Sequence, residues 1–302
     1  MLRAITTVAL VSGASAFSLA TPLRSPQQLA RAGAVFMDED AAAPKAPKGM
    51  VEVKPTLWSD DMKADIRIEG GSSLQTFQMP QHAERVQYII TSPTGRPIKA
   101  KVELWIGPLR CVHTMQYDCM NGIDFPIRGT LQFKKLAPVL KISTDGTYEF
   151  PLVCGVFVPS PEESKKIGQL KKDHFYSAPL KDKIQGGSTI DNKGGAIRSF
   201  PIPADWDKVQ IMLWSVDTGK KSMRSDIEIL QGPNNPKQKI TLQCGGSTQP
   251  WHGVLQTPGP GWMIRMNSKK YLEDGLFEVA INKYGDSSGD SSDVVVGGGW
   301  AR

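Results

Sequence analysis

Apolar residues in this chain recur mainly at a period of two. Val86, Tyr88 and Ile90 alternate with Gln87 and Ile89, Val102, Leu104 and Ile106 alternate with Glu103 and Trp105, and Val209, Ile211 and Leu213 repeat the pattern. Farther along, Ile264 and Met266 flank Arg265. On an extended backbone alternate side chains share a face, so each run predicts a strand with one face buried. The runs are short and are separated by Ser-Pro-Thr-Gly, Asp-Thr-Gly, Gly-Pro and Thr-Asp-Gly segments, which is hairpin punctuation. Gly supplies 29 and Pro 22 of the 302 residues, above average usage. Many turns are expected, and long helices are not.

The pattern occurs twice. When LQTFQMPQHAERVQYII (Leu74 to Ile90) is set above IRSFPIPADWDKVQIML (Ile197 to Leu213), Phe77 falls on Phe200, Pro80 on Pro203, Glu84 on Asp207, Arg85 on Lys208 and Val86-Gln87 on Val209-Gln210, all at an offset of 123. Gly95 then meets Gly219 at 124, and after one further slip Val102 to Pro108 aligns with Ile227 to Pro233 and Cys119 with Cys244. PIRGTLQ from Pro126 matches PWHGVLQ from Pro250, and Leu140 to Ser143 matches Ile264 to Asn267. Self-similarity over about 80 residues with single-residue slips is the mark of an internal repeat. The predicted fold is all-β: two tandem homologous antiparallel β-domains, sandwich-like, of about six or seven strands each, related by pseudo-two-fold symmetry and flanked by extended terminal arms. Repeat 1 covers 68–158 and repeat 2 covers 192–284.

Between the repeats, segment 159–191 carries Lys165, Lys166, Lys171, Lys172, Lys181 and Lys183 with Glu162, Glu163, Asp173 and Asp182 interspersed. It reads as a basic, solvated linker with one helical turn near Glu162 to Leu170, or as a contact for an acidic partner. The tail 285–302, GDSSGDSSDVVVGGGWAR, is a polar spacer followed by three β-branched residues, a Gly hinge and one Trp. It is too short to build a core of its own. Either it is a disordered terminus, or Val294, Val295 and Val296 add as a strand to a neighbour's sheet edge with Trp300 as anchor. The arm 38–67, with Trp58, could act similarly, although its link to repeat 1 favours ordinary packing.

Charge changes the picture little. The net charge is +6, but residues 1–37 contain Arg3, Arg24 and Arg31 and no acid, which leaves +3 on the remainder. That is too little for a charge-driven nucleic-acid binder. The same 37 residues read as targeting sequence: Arg3, then a short apolar run from Ile5 to Val11, then Ala14-Ser15-Ala16 as a small-residue cleavage site, then an acid-free stretch bearing Ser, Ala and Arg. A signal peptide joined to a transit peptide at Ala-Ser-Ala-Phe resembles the bipartite plastid presequence of diatoms and related algae. An ordinary secreted protein is the alternative. Against it stand the lack of any Asn-x-Ser/Thr sequon and the sparse spacing of Cys111, Cys119, Cys154 and Cys244. No second hydrophobic signal follows Asp38, so the stroma is expected rather than the thylakoid lumen. No segment reaches membrane-spanning length, so membrane insertion is not expected.

Catalytic patterns are scarce. Gly285-Asp286-Ser287-Ser288-Gly289 fits a nucleophile-elbow spacing but lies in a polar tail with no following helix or His. His82, His113, His174 and His252 are scattered, without metal-ligand spacing. Cys111 and His113, two apart on a strand, would share a face and could make a weak metal or thiol site. Cys119 and Cys244 occupy equivalent repeat positions, as small buried apolar residues would. No Gly-rich phosphate loop opens a helix, and Asp286, Asp290 and Asp293 lack calcium-loop spacing. No cofactor, metal or catalytic residue is expected.

The presequence, the repeat openings Thr-Phe-Gln-Met-Pro and Ser-Phe-Pro-Ile-Pro, the paired Val-Gln strands and the Gly/Ser tail ending in an aromatic together resemble the diatom pyrenoid shell protein family, over about 50–302. The resemblance implies a non-enzymatic protein at the pyrenoid periphery in the chloroplast stroma. There it would assemble with itself into a sheet around the Rubisco matrix and support CO2 concentration and fixation, with Rubisco or the matrix as a further partner. The rival readings are a stromal β-sandwich binding module for carbohydrate or an assembly client, with Trp105, Trp214, Trp251 and Trp262 in one groove, and an enzyme whose site forms between the repeats.

Overall fold

The computed structural model describes residues 50–52, 64–134, 137–147, 149–176, 178–188, 196–215, 223–245, 249–270 and 275–284; Lys45–Arg302 forms one compact unit. A first edge strand is β1 (Met50–Glu52). β2 (Ile66–Ile68) leads from the arm into repeat 1, which contributes β3 (Leu74–Gln78), β4 (Arg85–Thr91), β5 (Ile98–Ile106), β6 (Arg110–Cys119), β7 (Ile127–Gln132), β8 (Val139–Thr144) and β9 (Leu152–Phe157). A helix α1 (Pro161–Tyr176) and β10 (Leu180–Ser188) follow. The chain then continues through β11 (Ile197–Pro201), β12 (Lys208–Ser215), β13 (Met223–Gln231), β14 (Pro236–Cys244), β15 (Trp251–Gln256), β16 (Trp262–Lys270) and β17 (Gly275–Lys283).

The strands form two sheets. The first runs β3-β8-β5-β6-β14-β13-β16-β11, all antiparallel, with β1 added in parallel beside β3 and the end of β10, Gly187 and Ser188, added in parallel beside Lys269 and Lys270 of β16. The second runs β2-β9-β4-β7-β15-β12-β17-β10, also antiparallel. Each sheet therefore passes through both repeats without a break. One core lies between them, filled from the first sheet by Phe77, Val102, Leu104, Met115, Ile227, Ile240, Leu242 and Met266, and from the second by Val86, Tyr88, Ile127, Val209, Ile211, Trp251, Val279 and Ile281. The alternation in the sequence appears in the burial: Met223, Ser225, Ile227 and Ile229 are buried while Arg224, Asp226 and Glu228 face outward between them.

Joining the repeats within each sheet removes four edges, those of β6, β14, β7 and β15. β6 and β14 pair across the repeats with Gln116 opposite Thr241, and β7 and β15 pair with Gly129 opposite Gly253. In each seam that central pair consists of residues that the repeat alignment makes equivalent. An unpaired central edge would expose a row of backbone donors and acceptors, and pairing the two repeats satisfies them. The two β-domains expected from the repeat thus share two continuous sheets and one core.

The segment read as a solvated linker is ordered differently from that expectation. A capping box starts α1: the Glu163 amide donates to Ser160 Oγ at 3.3 Å and the Ser160 amide to Glu163 Oε2 at 2.8 Å. Pro161 sits at the first helical position, and Glu162 and Glu163 complement the helix dipole. The helix lies on the outer face of the second sheet. The buried Arg85 of β4 donates from Nε to Ser164 O at 3.2 Å and from Nη1 to Gln132 Oε1 at 2.9 Å. At the other end Phe175 packs on Ala280, Met212 and Trp214 and meets the ring of His252 edge-on at 5.9 Å. After it, β10 runs along β17 from Leu180 to Gly186 and closes the second sheet. The side chains of Lys166, Lys171 and Lys172 are outside the described residues.

Candidate functional site

The outer face of the second sheet carries α1; among the described elements none covers the outer face of the first. That open face is polar and laced with ion pairs that recur in the two repeats. Glu103 of β5 takes Lys101 at 2.7 Å and Lys141 at 3.0 Å. Its counterpart Glu228 of β13 accepts from Arg265 Nε at 2.9 Å and lies 3.5 Å from Lys239. Burial pushes the Glu103 pKa upward, but the hydrogen bonds from Lys101 and Lys141 outweigh it, so the carboxyl stays below its ordinary value.

Four strands form the outer edges. In the second sheet these are the three-residue β2 and β10. In the first sheet, β3 is covered by β1, with Met50 opposite Thr76, Val51 opposite Phe77 and Glu52 opposite Gln78. β11, the repeat counterpart of β3, pairs with β16 alone among the described strands. The residues expected to join neighbours, Val294, Val295, Val296 and Trp300, lie outside the described residues, as do Trp58 and the Gly285–Gly289 pattern.

The seam between the repeats holds buried polar groups. The Tyr117 hydroxyl sits 2.7 Å from Phe125 O and 3.0 Å from Gln238 Oε1, and Gln238 Nε2 donates to Gln256 O at 2.9 Å. His113, which the alignment makes equivalent to Gln238, is fully enclosed, and neither ring nitrogen has a hydrogen-bond partner among the described residues. Burial alone pulls its pKa from 6.5 down to about 3, so the imidazole is neutral. The folded-state value is the depressed one, so this stability is complete above pH 6.5 and is lost as pH falls from there toward 3. At pH 5 the loss amounts to about 2 kcal/mol. Urea titrations of wild type and His113→Leu at pH 7.5 and pH 5 should show that loss in the wild type and little of it in the variant; parallel losses would mean that other groups set the acid sensitivity.

Cys111 and His113 do not make a site together. In the β5–β6 ladder Leu104 faces His113 and Trp105 faces Cys111, so Val112 is an extra residue and the strand bulges. The bulge breaks the rule that positions two apart share a face. The Cys111 thiol instead meets His113 O at 3.3 Å and Thr114 Oγ1 at 3.4 Å. A matching bulge lies between Ile229 and Leu230 of the second repeat. Cys119, Cys154 and Cys244 are buried and form no disulfide among the described residues, and burial raises the thiols of Cys119 and Cys154 to about 11 and about 12. Among the described residues no three of His, Cys, Asp and Glu group as metal ligands would. The four tryptophans do not share a groove: Trp251 and Trp262 are buried in the core, Trp214 packs with Phe175, and Trp105 lies half-buried on β5. No described helix is long and apolar enough to cross a membrane.

The family model of the diatom pyrenoid shell protein matches residues 58–283. No curated protein matches the chain. Among solved structures, PBSX exported protein XepA is 8% identical with a TM-score of 0.26, covering 72% of this chain and 84% of its own. The turret protein A223 of Sulfolobus turreted icosahedral virus is 10% identical with a TM-score of 0.18, covering 72% of this chain and 95% of its own. At those TM-scores neither likeness bears on function.

Proposed function

The chain belongs to the diatom pyrenoid shell protein family, and from that membership we propose that it is one tile of a two-dimensional lattice of identical chains enclosing the Rubisco matrix. A shell protein of this family is structural rather than enzymatic and sits at the pyrenoid periphery of the chloroplast. The observation that carries the reading is the family match over 58–283, which spans nearly all the ordered sandwich. The architecture supports it: two sheets shared by both repeats make a stiff double-layered plate, and among the described strands the unpaired edges lie at its ends.

The two repeats are read as a tandem duplication, 68–158 and 192–284, folded about a pseudo-two-fold axis. The self-equivalent pairs Gln116/Thr241 and Gly129/Gly253 at the two seams support that reading. Such a plate offers similar surfaces at opposite ends, and surfaces that recur without closing produce extended arrays. Val294 to Val296 and Trp300 are proposed to join neighbours. The open polar face of the first sheet is the surface proposed to meet Rubisco or the matrix, and the layer supports CO2 concentration and fixation. Residues 1–37 are proposed to deliver the chain to the plastid.

In a diatom plastid, the full chain carrying a fluorescent tag should mark a rim around the Rubisco signal. A uniform fill coincident with Rubisco would contradict the shell reading.

A further inference from the structure

β11 is the end of the first sheet that no described strand covers, and its backbone has an unusual inventory. The Ile202 amide donates to Trp262 O at 2.9 Å, and Ala196 O accepts from the Ser268 amide at 3.2 Å. Even-numbered residues of this segment therefore bond to β16, and by alternation Ile197, Ser199 and Pro201 turn their backbone groups outward. The outward donors are the amides of Ile197 and Ser199, because Pro201 has none. The outward acceptors are three carbonyls, but that of Ile197 already accepts from Arg198 Nη1 at 3.2 Å. Arg198 is itself held by Asp182 at 2.9 Å. Two donors and two acceptors remain: the amides of Ile197 and Ser199 and the carbonyls of Ser199 and Pro201.

This set is self-complementary. We propose that β11 pairs antiparallel with β11 of a second molecule across a two-fold axis at Ser199, continuing the first sheet from one tile into the next. Each Ser199 amide donates to the other molecule's Ser199 carbonyl, and each Ile197 amide donates to the other molecule's Pro201 carbonyl. The two groups left over on each strand need no partner: one has no N–H, and the other is capped by Arg198. The side chains agree. Ile197 is 57% exposed and Met263, beside Pro201 on β16, is 40% exposed; in the pair Ile197 covers the second molecule's Pro201 on the face that carries Met263. The equivalent edge at β3 is closed by β1, so only one end of the tile makes this joint. The contact is isologous and closes as a dimer, which other contacts then extend. The inference rests on the self-assembly reading and names one of its joints.

Because Ser199 faces itself, one substitution tests the geometry. Directly opposed, hydrogen-bonded residues of an antiparallel pair have Cα atoms about 5.5 Å apart, within disulfide range. In residues 38–302 carrying Cys111→Ser, Ser199→Cys should oxidise to a two-chain species, on the order of tenfold or more above Thr76→Cys at the covered repeat-1 position, since paired thiols react at high effective concentration. Ser199→Pro, which removes an outward amide and no bond to β16, should abolish the dimer without lowering the melting temperature. If wild type assembles and Ser199→Cys does not self-link, or links instead to a Cys at Val295, this joint is wrong and the shell reading stands. If wild type does not assemble, the shell reading itself fails.

Discussion

Gly129→Val should lower the melting temperature by overpacking the core beside the seam between the repeats. Gly129 and Gly253 face each other in the β7–β15 pair, and each leaves room for an aromatic ring. A Cβ on Gly129 would stand 2.2 Å from Cζ and the hydroxyl oxygen of Tyr88; one on Gly253 would stand 2.5 Å from the Trp251 ring. Neither ring has anywhere to move. Tyr88 is fully buried, and its hydroxyl donates to Met115 Sδ at 3.2 Å, across the core in the other sheet. Overpacking of this kind typically costs up to about 3 kcal/mol and occasionally more, which for a chain of this size lowers the melting temperature by roughly 6 to 12 °C. Calorimetry on residues 38–302 reads it directly. Combining Gly129→Val with Tyr88→Ala should recover part of the loss, since contacting sites are non-additive; simple additivity would mean that the ring is not what the glycine accommodates.

Removing Asp286–Arg302 should leave the sandwich folded and cripple assembly. The tail combines a reach of polar and glycine residues with a β-branched triplet and one Trp, which is what strand addition with an aromatic anchor requires. A buried Trp anchor is worth about 2 kcal/mol or more, so the concentration needed for assembly should rise roughly thirty-fold, while the thermal transition stays in place. Light scattering against concentration separates the two. Unchanged assembly would remove Val294 to Val296 and Trp300 from the mechanism.

Much of the plate was readable because its strands announce themselves locally. The period-two runs fall on β4, β5, β12 and β16, and the repeats locate the equivalent edges β3 and β11. The continuity of each sheet across the repeats was not readable, since the choice of β14 as the neighbour of β6 is a non-local pairing that no residue of either strand declares. The helix α1 did have a signal: Ser160-Pro161-Glu162-Glu163 is a capping box with Pro at the first position. The lysines around it disguised it as a solvated linker. In β10 the inward positions Leu180, Asp182 and Ile184 alternate with Lys181 and Lys183, but one charged residue among three inward positions hid the period. The pairing of Cys111 with His113 failed for a different reason. An inserted residue in a bulge shifts the face of everything beyond it, and a bulge leaves no fixed mark in the sequence.

The central claim is that this folded plate is a building block whose work is to join its own kind. Purified residues 38–302 imaged by electron microscopy test that directly. Flat sheets or tubes with a regular two-dimensional repeat are the predicted result. A monodisperse monomer at every salt and protein concentration would contradict it.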